Sequence, residues 1–218
     1  MHRTRLALFL FLLLLAGCNR ATTTGDPLPD GVLYQDSFGT NTGDWLLESD
    51  LDANASYVDG RLQLEITSPN LIAWAELTER QYEDFELEVD AIQLAGPEDN
   101  SYGVILRMEN PSAYYRFDIS GDGYYAFTRR DEDEGEGGRW VWITEDWLES
   151  EAIHRGNSTN KIRIVAQGSH FSFYVNGQLV TEADDDTYSK GLIGLNAGAF
   201  DEPGVRIGFD NLTISNIE

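Results

Sequence analysis

The chain predicts an all-β fold, an antiparallel β-sandwich, on three observations. From Val32 onward, apolar and polar residues alternate in short runs rich in Val, Ile, Tyr, Phe and Trp. Turn residues punctuate these runs at Asp59-Gly60, Gly96-Pro97, Asn110-Pro111, Gly121-Asp122-Gly123, Gly168-Ser169 and Asn176-Gly177. No sustained 3.6-residue period and no repeat of fixed length occurs, which favours a sandwich or barrel over a helical fold or a propeller.

Taken in order, the expected strands are 32–38, 55–59, 61–68, 71–77, 84–94, 101–109, 113–119, 123–130, 139–143, 160–167, 170–175, 178–183, 190–198 and 204–215. Asn176-Gly177, between Phe171-Ser172-Phe173-Tyr174-Val175 and Gln178-Leu179-Val180, is the strongest hairpin signal, because a type I′ turn wants positive φ at both central residues. Brief helices are expected at 77–82 and 147–153. The acidic run 131–138 predicts a solvated hairpin loop, since dense like charges repel. A calcium loop is the alternative, although the spacing fits no EF-hand. The run Glu182-Ala183-Asp184-Asp185-Asp186 carries the same two readings.

Composition narrows the functional classes. The 218 residues include 15 Lys+Arg against 38 Asp+Glu, a net charge of -23, with 3 His and 1 Cys. One domain of ordinary size follows. A single Cys excludes an internal disulfide framework, and the absence of a basic cluster excludes a nucleic-acid footprint. Two isolated His beyond the leader and a lone Cys make no zinc ligand set.

The N-terminus sets a basic Met1-His2-Arg3-Thr4-Arg5 before an apolar run at 6–15 and then Ala16-Gly17-Cys18, the order of a secretory signal. The run is shorter than the roughly 20 residues that span a bilayer. Leu15-Ala16-Gly17-Cys18 resembles the bacterial lipobox, which implies cleavage before Cys18 and lipidation of its sulfur; simple secretion is the alternative. The expected organisation is a signal peptide at 1–17, a lipidated Cys18 with a flexible tether to 31, and the sandwich at 32–218. Such a chain would be held in the cell envelope by its lipid, facing the extracytoplasmic side.

Nucleophilic hydrolysis finds no Gly-x-Ser-x-Gly elbow, and His170, alternating with Phe171 and Phe173, reads as an exposed strand residue. Glycoside hydrolysis needs two carboxylates across one bond. Glu86-Leu87-Glu88-Val89-Asp90 puts three on one strand face, although Phe85, Leu87 and Val89 mark that strand as a half-buried one with its acids in water. Carbohydrate binding asks for aromatic platforms and groups that hydrogen-bond hydroxyls. The segment from Tyr102 to Trp147 is dense in both. Period-2 sorting sends Tyr115, Phe117, Ile119, Tyr125 and Phe127 inward and leaves Tyr114, Arg116, Asp118 and Tyr124 outward. Trp140 and Trp142 share a face. With Arg107, these residues form the expected contact surface; cross-strand pairing of exposed aromatics, with Trp140 and Trp142 in the core, is the bland alternative.

Several segments, in order, carry a family resemblance: Asp36-Ser37-Phe38 with Gly43-Asp44-Trp45, Tyr57-Val58-Asp59-Gly60-Arg61-Leu62, Tyr102-Gly103-Val104-Ile105-Leu106-Arg107, Tyr115-Arg116-Phe117-Asp118-Ile119-Ser120, Asn160-Lys161-Ile162-Arg163-Ile164, Tyr174-Val175-Asn176-Gly177, Gly191-Leu192-Ile193-Gly194-Leu195 and Phe209-Asp210-Asn211-Leu212. Over residues 32–216 the chain resembles the concanavalin A-like lectin/glucanase superfamily. Within it, the chain resembles the 3-keto-disaccharide hydrolase-like and laminin-G-like jelly rolls of bacterial lipoproteins. The resemblance implies a concanavalin A-like jelly roll with a concave sheet that binds glycans. It also implies Ca²⁺ as a possible ligand of the paired terminal strands, through Asp36 and Asp210. The strand at 86–90 is similar to the Glu-x-Asp-x-Glu strand of family 16 glycoside hydrolases, but its order is Glu, Glu, Asp. The fold hosts binders and enzymes alike. The expectation is a glycan- or polysaccharide-binding domain without turnover, with a glycoside hydrolase of the 3-keto-disaccharide type and a structural or protein-adhesion module as alternatives.

Overall fold

The computed structural model describes residues 27–132 and 138–217. The expected signal peptide, Cys18, the first part of the tether and the centre of the acidic run at 131–138 lie outside the described residues.

Among the described residues, sixteen strands, numbered in chain order, form two antiparallel sheets. The first sheet runs β14 (Gln178–Asp184), β13 (His170–Val175), β12 (Thr159–Gln167), β6 (Phe85–Ala95), β16 (Val205–Ser215), β4 (Arg61–Ile66) and β3 (Ala53–Val58), with β1 (Val32–Asp36) on β16. The second runs β10 (Arg139–Trp142), β9 (Tyr124–Asp131), β8 (Ala113–Ile119), β7 (Asn100–Asn110), β15 (Gly191–Ala199), β5 (Leu71–Tyr82) and β2 (Trp45–Leu47), with β11 (Leu148–Glu149) on β9. The central pairs β6–β16 and β7–β15 join segments far apart in the chain, the mark of a jelly roll rather than a simple meander.

Alternation places the core as expected. Phe85, Leu87 and Val89 of the first sheet meet Tyr115, Phe117 and Phe127 of the second in one buried cluster. Phe117 and Phe173 stack across the two sheets with centroids 4.3 Å apart. The hairpin at Asn176-Gly177 forms with both residues at positive φ, 51° and 79°. Trp45, which sequence runs left outside a strand, heads the short edge strand β2.

Two expectations change. Residues 77–82 continue β5 instead of forming a helix: Leu77 and Tyr82 pair with Ile193 and Gly191, and the residues between them bulge outward with Glu79 at φ 66°. Residues 147–153 hold the two-residue β11 followed by a turn. In both places pairing with a neighbouring strand satisfies backbone groups that a single helical turn would leave open.

Candidate functional site

The meander β7–β8–β9–β10 turns one face toward the core and the other outward. Register fixes who stands beside whom on the outward face. Tyr114 of β8 faces Arg130 of β9, which faces Trp140 of β10; Arg116 faces Thr128, which faces Trp142. Asp118 faces Gly103 of β7, and Gly103 faces Asn196 of β15. Gly103 carries no side chain, so Asp118 and Asn196 look at each other across bare backbone. A Cβ on Gly103 would run into the carbonyl of Phe117.

Aromatic rings wall this floor. Trp140 packs edge-on to Tyr114 with centroids 6.0 Å apart, and Tyr114 lies 6.3 Å from Trp74 of β5. Strands β8 and β5 are three steps apart, about 14 Å on a flat sheet, so these two side chains lean toward each other over β7 and β15. The guanidinium groups of Arg116 and Arg130 lie 4.8 and 4.7 Å from the Trp140 ring centroid. Trp140 and Trp142 are 37% and 47% exposed, so neither is core.

The polar groups between these walls are buried and short of partners. Asp118 is 1% exposed and Asn196 0%, with Arg116, Thr128 and Ser101 also buried. Among the described residues, no hydrogen-bond partner reaches Arg116 Nη1, Thr128 Oγ1 or Ser101 Oγ, whereas Asp118 has Arg116 Nε and the Asn196 amide beside it. Arg116 Nε is in ion contact with the Asp118 carboxylate. Burial raises the Asp118 carboxyl above the usual carboxylate range, with the Arg116 charge and a hydrogen bond from Asn196 opposing. Burial likewise raises Glu76, which shares this face on β5, and the nearby Glu48 carboxylate adds to the effect. Buried polar groups left open cost about 1–3 kcal/mol each, so a cluster of them on one face marks a surface whose hydrogen bonds a ligand or water completes.

The expected contact residues divide. Tyr114, Arg116, Asp118, Trp140 and Trp142 come together on this face. Tyr124 stands at the start of β9 and lines a separate cavity of about 210 Å³ with Asp99, Ser120, Asp122, Trp147 and Phe200. Arg107 does not belong to the surface at all. The β7 ladder slips between Leu106 and Asn110, and Arg107 at φ 48° turns its side chain to the core side, 0% exposed. There it donates to the carbonyls of Glu83, Gly168 and Tyr188 and covers the Phe171 ring, tying three loops together. Strict alternation put it outward; the bulge reverses it.

Trp74, Asn196, Thr128 and Ser101 are site residues that alternation alone overlooked. Asn196 had one signal, a single amide within the otherwise apolar Gly191–Ala199 run.

The three acids at 86–90 lie on the other sheet, facing water. Glu86 accepts two bonds of 2.8 Å from Arg163, and Asp90 pairs with Lys161 at 2.8 Å. The carboxylate of Asp36 is occupied by the Phe38 amide at 2.7 Å and by Trp45 Nε1 at 3.1 Å, with the Tyr34 hydroxyl at 3.2 Å. Asp210 caps the amide of Asn211 instead of converging on it. Among the described residues no group of three or more His, Cys, Asp or Glu is placed to hold a metal ion.

Fold and comparison together define a concanavalin A-like jelly-roll sandwich of a carbohydrate-related kind. The chain belongs to the family of 3-keto-alpha-glucoside-1,2-lyase-like domains, which it matches over residues 33–215. Among solved structures it is similar to the carbohydrate-binding module CBM66 from Bacillus subtilis, with 18% identity and a TM-score of 0.63, covering 79% of this chain and 96% of that one. It is similar to the Bacillus licheniformis beta-glucanase, with 17% identity and a TM-score of 0.61, covering 87% and 100%. It is also similar to the laminarinase catalytic domain from Thermotoga maritima, with 12% identity and a TM-score of 0.60, covering 86% and 98%. No curated protein sequence matches it.

Proposed function

We propose that the outward face of the second sheet binds a glycan without turning it over. The observation that carries this reading is the row of buried polar groups from Thr128 through Arg116 and Asp118 to Asn196, with Thr128 Oγ1 and Arg116 Nη1 open, bordered by the Trp74, Tyr114 and Trp140 rings. A pyranose offers the same alternation of donors and acceptors on its rim and an apolar face for an indole. Trp142, half exposed beside Thr128, extends the platform toward the sheet edge. Membership of a carbohydrate-related family and similarity to a carbohydrate-binding module support the reading. The lipobox-like Leu15-Ala16-Gly17-Cys18 extends the proposal: the domain is displayed from a membrane on a lipidated Cys18, on the extracytoplasmic side.

A second reading, turnover of a glycoside, has one observation in its favour, the raised Asp118 carboxyl, which suits a general acid. Against it, Asp118 is already in ion contact with Arg116, and Glu76 stands three strand steps away on β5.

A glycan array followed by calorimetry and analysis of released sugar separates the readings. Binding without release supports the proposal. Release that is abolished in Asp118→Asn establishes the second reading. Absence of both overturns the glycan assignment and favours a protein-binding or structural role.

A further inference from the structure

Resting on the glycan reading, we infer that the cavity at the loop end of the same face seats an amino sugar of the bound chain, its protonated amine held between aromatic rings and the carboxylates of Asp99 and Asp122. Register makes this cavity a continuation of the row. Tyr124, which lines it, stands on β9 two residues before Ala126, the partner of Asp118. Asp99 comes two residues before Ser101 of β7, Phe200 two residues after Gly198 of β15, and Gly198 pairs with Ser101. Residues two apart on an extended chain share a face, so the cavity begins about 7 Å beyond Ser101, where the next unit of a chain bound on the row would lie. The floor between them is low. Gly198, Gly103 and Ala126 carry little or no side chain, and Ser101 is 0% exposed with an open hydroxyl.

Three rings and an unbalanced charge decide what fits. Trp147 and Phe200 pack edge-on with centroids 6.1 Å apart, and with Tyr124 they wall the cavity of about 210 Å³. Asp99 and Asp122 line it as well. Burial, and then the charges of Asp122, Asp201 and Glu202, raise the Asp99 carboxyl, and no basic group opposes them. Among the described residues, no Lys, Arg or His forms an ion pair with any of these four acids. Arg155, the guanidinium beside Gly123, is held by Glu149 at 2.5 Å. An ammonium group supplies both missing partners: N–H donors for the carboxylates and a cation for the aromatic faces. A sugar that bears only hydroxyls, or whose amine is acetylated, supplies the ring without the charge.

The test uses the detergent-solubilised full chain and three matched sets of oligosaccharides, built from glucosamine, N-acetylglucosamine and glucose. Calorimetry is run at low and high salt in mildly acidic buffer, where the amine is protonated. The expected result is binding of the glucosamine oligomer that weakens at least about tenfold on N-acetylation and weakens again with salt. Asp99→Asn should erase most of the preference for amine over acetamide. Glu88→Gln, the same loss of charge on the other sheet, should leave the preference at the parent level. A melting curve for each variant confirms that it is folded. Equal binding of amine and acetamide overturns the inference and leaves the glycan reading standing. An equal loss in Glu88→Gln traces the preference to net charge and overturns it as well. Methylammonium bound as tightly as the oligomer assigns the cavity to a free amine and overturns the sugar. Binding of none of the three sets by the parent chain overturns both readings.

Discussion

The two outward faces of the sandwich carry similar residues and treat them in opposite ways. On the first sheet, Arg163 grips Glu86 and covers Tyr174, Lys161 meets Asp90, and His170 meets Asp184 at 3.0 Å while Ser172 reaches Glu182 at 3.2 Å. These groups are partly solvated and complete one another. On the second sheet, Arg116, Asp118, Asn196, Thr128 and Ser101 are buried, and Arg116 Nη1 and the Thr128 and Ser101 hydroxyls stay open. Charge alone therefore locates nothing in this protein. What separates a decorated surface from a site is burial without satisfaction, because only there does a partner recover the desolvation already incurred.

The comparison is broken most severely from inside. Arg107→Met removes four charge-assisted bonds to three loop carbonyls and leaves those oxygens without their donor. A loss of about 3–5 kcal/mol is expected, enough to lower the melting temperature by roughly 10 °C or more in thermal denaturation. A variant that melts normally but loses glycan binding would return Arg107 to the ligand surface.

Thr128→Val sharpens the contrast from the other side. The Thr128 hydroxyl is open, so an apolar side chain of the same shape removes a penalty and raises stability by about 1 kcal/mol, or roughly 2–4 °C. Glycan affinity should fall by at least about tenfold in the same variant, the trade of stability against binding that a functional surface shows. If stability falls as well, Thr128 is a structural hydroxyl and the open face has been misjudged. Trp142→Ala should be milder: affinity lower by about tenfold, or 1.4 kcal/mol, with the melting temperature unchanged, since the indole is half exposed. A collapse in stability would place that ring in the core.

How far these faces were legible in the sequence follows from the same physics. Alternation of Tyr114 through Ile119 sorted inner from outer side chains, and register then carried Trp140 and Trp142 to the same face. Alternation fails where the ladder slips, which is why Arg107 went to the wrong side and why residues 78–81 resembled a helical turn. Nor does it find Trp74 or Ser101, because β5 and β7 mix apolar and small residues on both faces. Whether a polar side chain has a partner depends on strands that are remote in sequence. Asp118 meets Asn196 only because β15 pairs with β7 across a glycine.

The smallest expected effect tests the satisfied face. The hydrogen bond from His170 to Asp184 raises the imidazole above its ordinary value, with burial opposing and Glu182 assisting. A group whose folded pKa is raised contributes stability that is fully present below its unfolded value, about 6.5, and is lost as pH rises through the folded value. His170→Gln should therefore melt no more than about 2 °C below the parent at pH 6, and the gap should close in alkaline buffer, as befits an exposed pair. Glycan affinity should stay at the parent level throughout, since the side chain lies on the opposite face of the sandwich. A pH-dependent loss of binding in this variant would join the two faces into one functional surface and remove the distinction between them.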